Sequence, residues 1–180
     1  MMRIITGFAR GTKLLTPEGE DTRPTSEKVK EAIFSAIQFE IPGRLVLDLF
    51  AGSGQMALEA LSRGAEKATI VDNAKRPIEL IKENAKKTRL MDKCVIVNSD
   101  WKDFLNHAKP GYNLVFLDPP YKAGILDEAL TKLAEKNLLG GDAIVICESD
   151  IESLPKKEFS AEKSRKNYRY GRTYVTVIKF

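Results

Sequence analysis

The chain has 180 residues, 43% hydrophobic and 30% charged, with a net charge of +4; it has room for one sizeable core and at most a small appendage. No apolar run approaches the roughly 18 residues of a membrane-spanning helix, the first seven residues make no signal peptide, and a soluble, cytoplasmic protein is expected. Two cysteines and one histidine make a poor ligand set, which argues against a disulfide, a metal centre or histidine-base chemistry.

In chain order, residues 3–7 and 12–16 read as two short strands around Gly11, a hairpin. Thr22-Arg23-Pro24-Thr25-Ser26 then opens a helix with Val29, Ala32, Ile33, Ala36 and Ile37 on one face, ended by Ile41-Pro42-Gly43. Residues 1–43 are read as an N-terminal extension packed on a main domain of residues 44–180. Leu45-Val46-Leu47-Asp48-Leu49 is a buried strand, followed by Met56, Ala57, Ala60 and Leu61 at helical spacing. Ala68-Thr69-Ile70-Val71 is the next strand. Pro77 suits the first turn of a helix whose apolar face is Ile78, Ile81 and Ala85.

Cys94-Val95-Ile96-Val97 and Leu114-Val115-Phe116-Leu117 are the third and fourth strands, with His107 between them as a surface residue near a helix end. Ile125, Ala129, Leu130, Leu133 and Ala134 mark a helix closed by Gly140-Gly141. Ala143-Ile144-Val145-Ile146-Cys147 is the fifth strand, and both Cys94 and Cys147 read as small core residues. Near-continuous apolar strands alternating with amphipathic helices indicate a parallel sheet covered on both faces. Tyr168-Arg169-Tyr170-Gly171-Arg172-Thr173 then reads as a turn and Tyr174-Val175-Thr176-Val177-Ile178 as a strand, its hairpin partner lying within residues 156–166. With no intervening helix, at least one antiparallel strand should end the sheet.

Residues 48–57, Asp-Leu-Phe-Ala-Gly-Ser-Gly-Gln-Met-Ala, follow a buried strand and open a helix, the context of a glycine-rich nucleotide loop. Gly52 and Gly54 let the backbone turn sharply and approach a ligand. Asp72, twenty residues after Gly52, can accept both hydroxyls of a ribose. Gly52-x-Gly54-x-x-Ala57 also matches a dinucleotide fingerprint, a weak signal alone. Asp48 directly before the glycines suits a cationic amino-acid end better than a pyrophosphate, and Asp100 after the third strand is placed for an adenine amine. Both favour S-adenosylmethionine.

Asp118-Pro119-Pro120-Tyr121 follows the fourth strand. Ligands of open parallel sheets bind beyond the carboxyl ends of the strands, so the loops at 48–54, 72–73, 99–101 and 118–121 converge on one edge. They nominate Asp48, Phe50, Ala51, Gly52, Gly54, Asp72, Asn73, Ser99, Asp100 and Trp101 for the cofactor. An exocyclic base amine is a poor nucleophile because its lone pair is delocalised into the ring. The Asp118 carboxylate and the Pro119 carbonyl can hold its hydrogens and raise electron density on nitrogen, the two prolines stiffen the loop, and Tyr121 can stack on a base turned out of its helix. The donor methyl is already activated, so no metal is needed.

Residues 155–180 carry eight Lys or Arg against two Glu, a net +6 that leaves −2 for the rest. Basic charge among aromatics suits a polyanion and nominates Arg169 and Arg172 as substrate contacts; a solvated edge hairpin protected by its charges would look the same.

The first and fourth motifs, Asp48-Leu-Phe-Ala-Gly-Ser-Gly and Asp118-Pro-Pro-Tyr, resemble those of Rossmann-like amino-methyltransferases. Both chain ends are similar to the RsmD family more narrowly: Arg3-Ile-Ile-Thr-Gly-Phe-Ala-Arg-Gly-Thr-Lys-Leu, Arg23-Pro-Thr-Ser-Glu-Lys-Val-Lys-Glu-Ala-Ile-Phe and Tyr170-Gly-Arg-Thr-Tyr-Val. The resemblance implies a seven-stranded, mostly parallel sheet with an antiparallel C-terminal strand. It implies S-adenosylmethionine as cofactor, and the exocyclic amine of one guanine of 16S ribosomal RNA as acceptor, in an assembling or assembled small subunit. It puts Arg23 and Thr25 on the substrate side, without assigned roles. Asp72 stands where the family would lead one to expect glutamate, which keeps the carboxylate and shortens its reach. A monomer is expected. Three alternatives stay open: a DNA adenine amino-methyltransferase, a protein glutamine methyltransferase (which tends to carry Asn at the place of Asp118) and a non-catalytic RNA-binding module.

Overall fold

One seven-stranded sheet organises the computed structural model, which describes residues 2–16, 27–120, 124–152 and 155–180. Its strands are β1 (Leu45–Asp48), β2 (Lys67–Asp72), β3 (Cys94–Asn98), β4 (Tyr112–Leu117), β5 (Leu139–Ser149), β6 (Ser164–Tyr170) and β7 (Thr173–Lys179). The spatial order is β3-β2-β1-β4-β5-β7-β6. Strands β3 to β5 run parallel, and β7 is antiparallel to both of its neighbours. The expected mostly parallel sheet with an antiparallel end is therefore present.

Parallel neighbours need crossovers, and helices supply them. One face of the sheet carries α1 (Glu27–Ala36), α2 (Gln55–Ser62) and α3 (Lys75–Lys87) over Val46, Leu114, Phe116, Ile144 and Ile146. The other carries α4 (Trp101–His107) and α5 (Ile125–Glu135) over Leu47, Val115, Leu117 and Val145. Alternate residues of the central strands thus enter two separate cores, which is why those strands read as unbroken apolar runs. No described helix is long and apolar enough to cross a membrane.

Several local expectations change. The N-terminal hairpin is reduced to a single bridge between Arg3 and Lys13; Ile4, Gly11 and Leu14 keep cross-strand bonds, while the amides of Ile5, Thr6, Phe8 and Ala9 turn to α2. The Ile5 and Thr6 N–H groups donate to the Glu59 carboxylate at 2.8 and 3.0 Å, Phe8 N–H to the Ser62 carbonyl and Ala9 N–H to the Ser62 hydroxyl. Lys30 of α1 is buried against the same Glu59 at 3.4 Å, and Arg63 binds it at 2.8 Å. Burial lowers the Lys30 pKa from its ordinary value, with Glu59 opposing. The helix expected from Thr22 is seen as α1 from Glu27; Thr22 to Ser26 lie outside the described residues.

Helix α5 is not closed by Gly140-Gly141. Asn137 takes a left-handed φ of 52°, its N–H bonds to the Ala134 carbonyl and the Leu138 N–H to the Leu133 carbonyl, a complete C-terminal cap. Gly140 and Gly141 are thereby free to begin β5. The expected turn at 168–173 contracts to Gly171-Arg172, since Tyr168 to Tyr170 pair with Thr173 to Val175. The partner of β7 is thus residues 164–170 rather than 156–166. Cys147 is buried as expected, whereas Cys94 on edge strand β3 is only partly so. His107 ends α4 and is exposed.

Candidate active site

Strand order reverses between β1 and β4, the point where doubly wound sheets open a ligand crevice. Asp48 ends β1 and Asp118 follows the last residue of β4 directly. Both line one cleft, with Ile33, Phe50, Ala51, Gln55, Met56, Phe116, Ile146 and Glu148. Asp48 is buried, and its carboxylate accepts from Ala57 N–H at 3.2 Å. Burial pushes its pKa up to about 7, the Ala57 bond opposing and the charge of Asp72 assisting.

The glycine loop is built by short bonds to its neighbours. Gly54 caps α2 in a left-handed conformation, φ 75°, and its N–H donates to Ala51 O at 2.7 Å. Gly52, φ 56°, has open space where a side chain would stand, and its N–H donates to Asp72 Oδ2 at 2.9 Å. The other Asp72 oxygen accepts from Ala74 N–H at 3.0 Å. Each carboxylate oxygen has a second lone pair for a ligand hydroxyl. Buried Asn84 of α3 braces the loop by donating to Ser53 O and to Leu15 O.

Asp100 Oδ1 accepts from Lys102 N–H at 2.8 Å and so caps α4, a role the sequence reading did not assign it. Trp101 is nearly buried, its ring 5.9 Å from that of Phe50, so the 99–101 and 48–54 loops touch. Asn73 and Asp100 are exposed, and Ser99 N–H bonds to Asp72 O. The ten residues nominated for the cofactor therefore lie along one edge. The groups fit a nucleoside with a cationic end: two carboxylates flank the loop, and among the described residues no basic side chain lines the cleft to meet a pyrophosphate.

Pro119 is buried, Pro120 exposed and Asp118 half-buried. Desolvation first, then the charges of Glu148 and Asp48, hold the Asp118 carboxyl well above the usual carboxylate range. Tyr121, Arg23 and Thr25 lie outside the described residues. Arg169 and Arg172 are exposed at the tip of the β6–β7 hairpin. Because Ser149 at the carboxyl end of β5 pairs with Tyr174, that tip lies at the same edge as Asp118.

Three of the eight basic residues of the C-terminal segment are already engaged: Lys163 with Asp142, Arg165 with Glu162 and Lys179 with Glu40. Fewer of these cations are therefore left to a substrate than the sequence suggested, Lys156, Lys157, Lys166, Arg169 and Arg172 being the other exposed ones. Sequence reasoning missed Glu148, which follows the apolar run 143–147 of β5 and carries no motif. It also missed Asn84 and Glu59, which looked like ordinary polar helix positions.

A family model described as "Conserved hypothetical protein 95" matches residues 2–179. The Bacillus subtilis (strain 168) protein YlbH is 38% identical over 182 residues, 99% of this chain and 98% of that one. Ribosomal RNA small subunit methyltransferase D of Escherichia coli (strain K12) is 36% identical over 152 residues, 84% of this chain and 76% of that one. The solved structure of the Escherichia coli protein yhhF superposes with a TM-score of 0.89 at 29% identity, covering 99% of this chain and 97% of that one.

Proposed function

We propose, from the premise that this chain belongs to the Conserved hypothetical protein 95 family, the RsmD family, that it is an S-adenosylmethionine-dependent ribosomal RNA methyltransferase. The finer reading is that it methylates N2 of one guanine of 16S RNA, in the cytoplasm, as a monomer acting on the small subunit or its precursors. One observation carries the chemistry: Asp118 and Asp48 stand at the ends of adjacent strands and line one cleft, the first opening the Asp-Pro-Pro-Tyr segment and the second the glycine loop.

Bound S-adenosylmethionine would supply a methyl group already activated on a positive sulfur, so no metal is required. In this reading Asp48 meets its cationic end, Asp72 the ribose, and Asp100 with Trp101 the adenine, while Phe50, Ala51, Gly52, Gly54, Asn73 and Ser99 shape the pocket. Asp118 and the Pro119 carbonyl accept the two amine hydrogens of the target base, and Asp118 takes the proton released as that nitrogen is alkylated. The buried Pro119 keeps its carbonyl direction fixed, so positioning and local charge supply most of the rate. Pro120 and Tyr121 complete the base site. Arg23, Thr25, Arg169 and Arg172 hold the RNA.

The test is transfer of labelled methyl from S-adenosylmethionine to RNA, DNA and small-subunit particles, followed by nucleoside analysis. N2-methylguanosine in RNA or particles is expected, and none with Asp118→Ala. Label confined to DNA overturns the reading.

A further inference from the structure

We propose that Glu148 is the group that reads guanine, by accepting the N1–H that lies next to the methylated amine. The inference rests on the guanine-N2 reading above and deepens it. It starts from register. Asp48 pairs with Phe116 and Phe116 with Ile146, so the next inward row on the same sheet face is Asp118 and Glu148, side by side at the carboxyl ends of β4 and β5. Neighbouring strands stand about 4.8 Å apart, and both side chains line the one cleft. Glu148 is only 7% exposed, at the end of a row whose preceding members are Ile144 and Ile146. An ionised carboxylate has about four lone-pair sites, so Glu148 can accept from a base donor in addition to its contacts within the protein.

The Watson–Crick edges of the bases then decide the fit. Guanine presents N1–H beside its N2 amine, two adjacent donors for two adjacent carboxylates. Adenine presents an amine beside a bare N1, whose lone pair would face Glu148 and be repelled. Cytosine likewise offers a lone pair beside its amine. Asp118 with Pro119 thus recognises an exocyclic amine on any of the three bases, and Glu148 selects the one whose ring nitrogen donates. The same pairing would reject adenine without a separate recognition domain.

The experiment compares small-subunit RNA carrying guanine or 2-aminopurine at the position labelled by the wild-type enzyme. 2-Aminopurine keeps the amine and lacks N1–H. The wild type should prefer guanine in kcat/KM by roughly 10- to 100-fold, the worth of a hydrogen bond to a charged group. In Glu148→Gln, whose amide can donate as well as accept, the guanine-to-2-aminopurine ratio should fall to within about threefold of unity. Because the readout is a ratio within one variant, partial misfolding does not affect it. Equal loss on both substrates, or a ratio unchanged from wild type, overturns the proposal. Failure of the underlying reading is seen separately, in the wild type alone: a product other than N2-methylguanosine removes both.

Discussion

At the scale of single residues, the site gathers buried carboxyl groups where ordinary proteins avoid them, and this gives three predictions. Asp48 keeps its proton up to about pH 7 when folded and loses it near its ordinary value of 3.8 when unfolded. Its contribution to stability is full below the unfolded value and is lost as pH rises through about 7. The ligand-free wild type should therefore lose stability between about pH 4 and 7 relative to Asp48→Asn, measured by urea unfolding across pH. A cationic ligand end at Asp48 favours the ionised form, so cofactor affinity should strengthen as pH rises towards about 7. Asp48→Asn should flatten that dependence and weaken binding by about 10- to 100-fold in calorimetry. Asp118 lies beside two further carboxylates, so Asp118→Asn should raise the unfolding free energy by roughly 1 kcal/mol, seen as a higher thermal midpoint, while lowering kcat by at least about 100-fold. A variant that loses both activity and stability would contradict this reading of the cleft.

Elements of the fold are joined by a few buried polar contacts rather than by pairing alone. Residues 2–14 are held on α2 through Glu59 and Ser62, and Gly7 lies against the end of that helix with φ 88°. A Cβ at Gly7 would stand 1.8 Å from the Ser62 carbonyl oxygen. Gly7→Ala should cost more than about 1 kcal/mol and speed hydrogen exchange at the Phe8 and Ala9 amides. Glu59→Gln leaves Lys30 buried without its charge partner and should cost about 3–5 kcal/mol; adding Lys30→Met should recover much of it. Because Ser53 Oγ bonds to Met2 Sδ and Asn84 ties Ser53 to Leu15, loosening this segment should also weaken cofactor binding.

For the whole molecule, one edge of the sheet gathers the glycine loop, the Asp118 loop and the tip of the β6–β7 hairpin. Removing an exposed cation at that tip should weaken RNA binding across sequences and reduce its salt dependence. Arg169→Ala and Arg172→Ala should each lower the slope of log affinity against log salt by about one, in filter binding at several salt concentrations. Lys163→Ala should leave the slope nearly unchanged, since that side chain is paired with Asp142. The sequence alone determined the parallel sheet and the order of its loops, and it nominated Asp48, Gly52, Gly54, Asp72 and Asp118 for the candidate site. Strand hydrophobicity and glycine spacing are local signals, and a parallel sheet sends every strand end to one edge. It did not determine where a polar side chain in an apolar setting would point. Asn84, Glu59 and Lys30 acquire their partners across 27 to 69 residues of chain, and the pairing of Lys163, Arg165 and Lys179 reduces the basic charge that composition had suggested. Those contacts exist only once strands in the order β3-β2-β1-β4-β5-β7-β6 lie side by side, because burial and charge proximity are properties of the packed sheet and not of the chain.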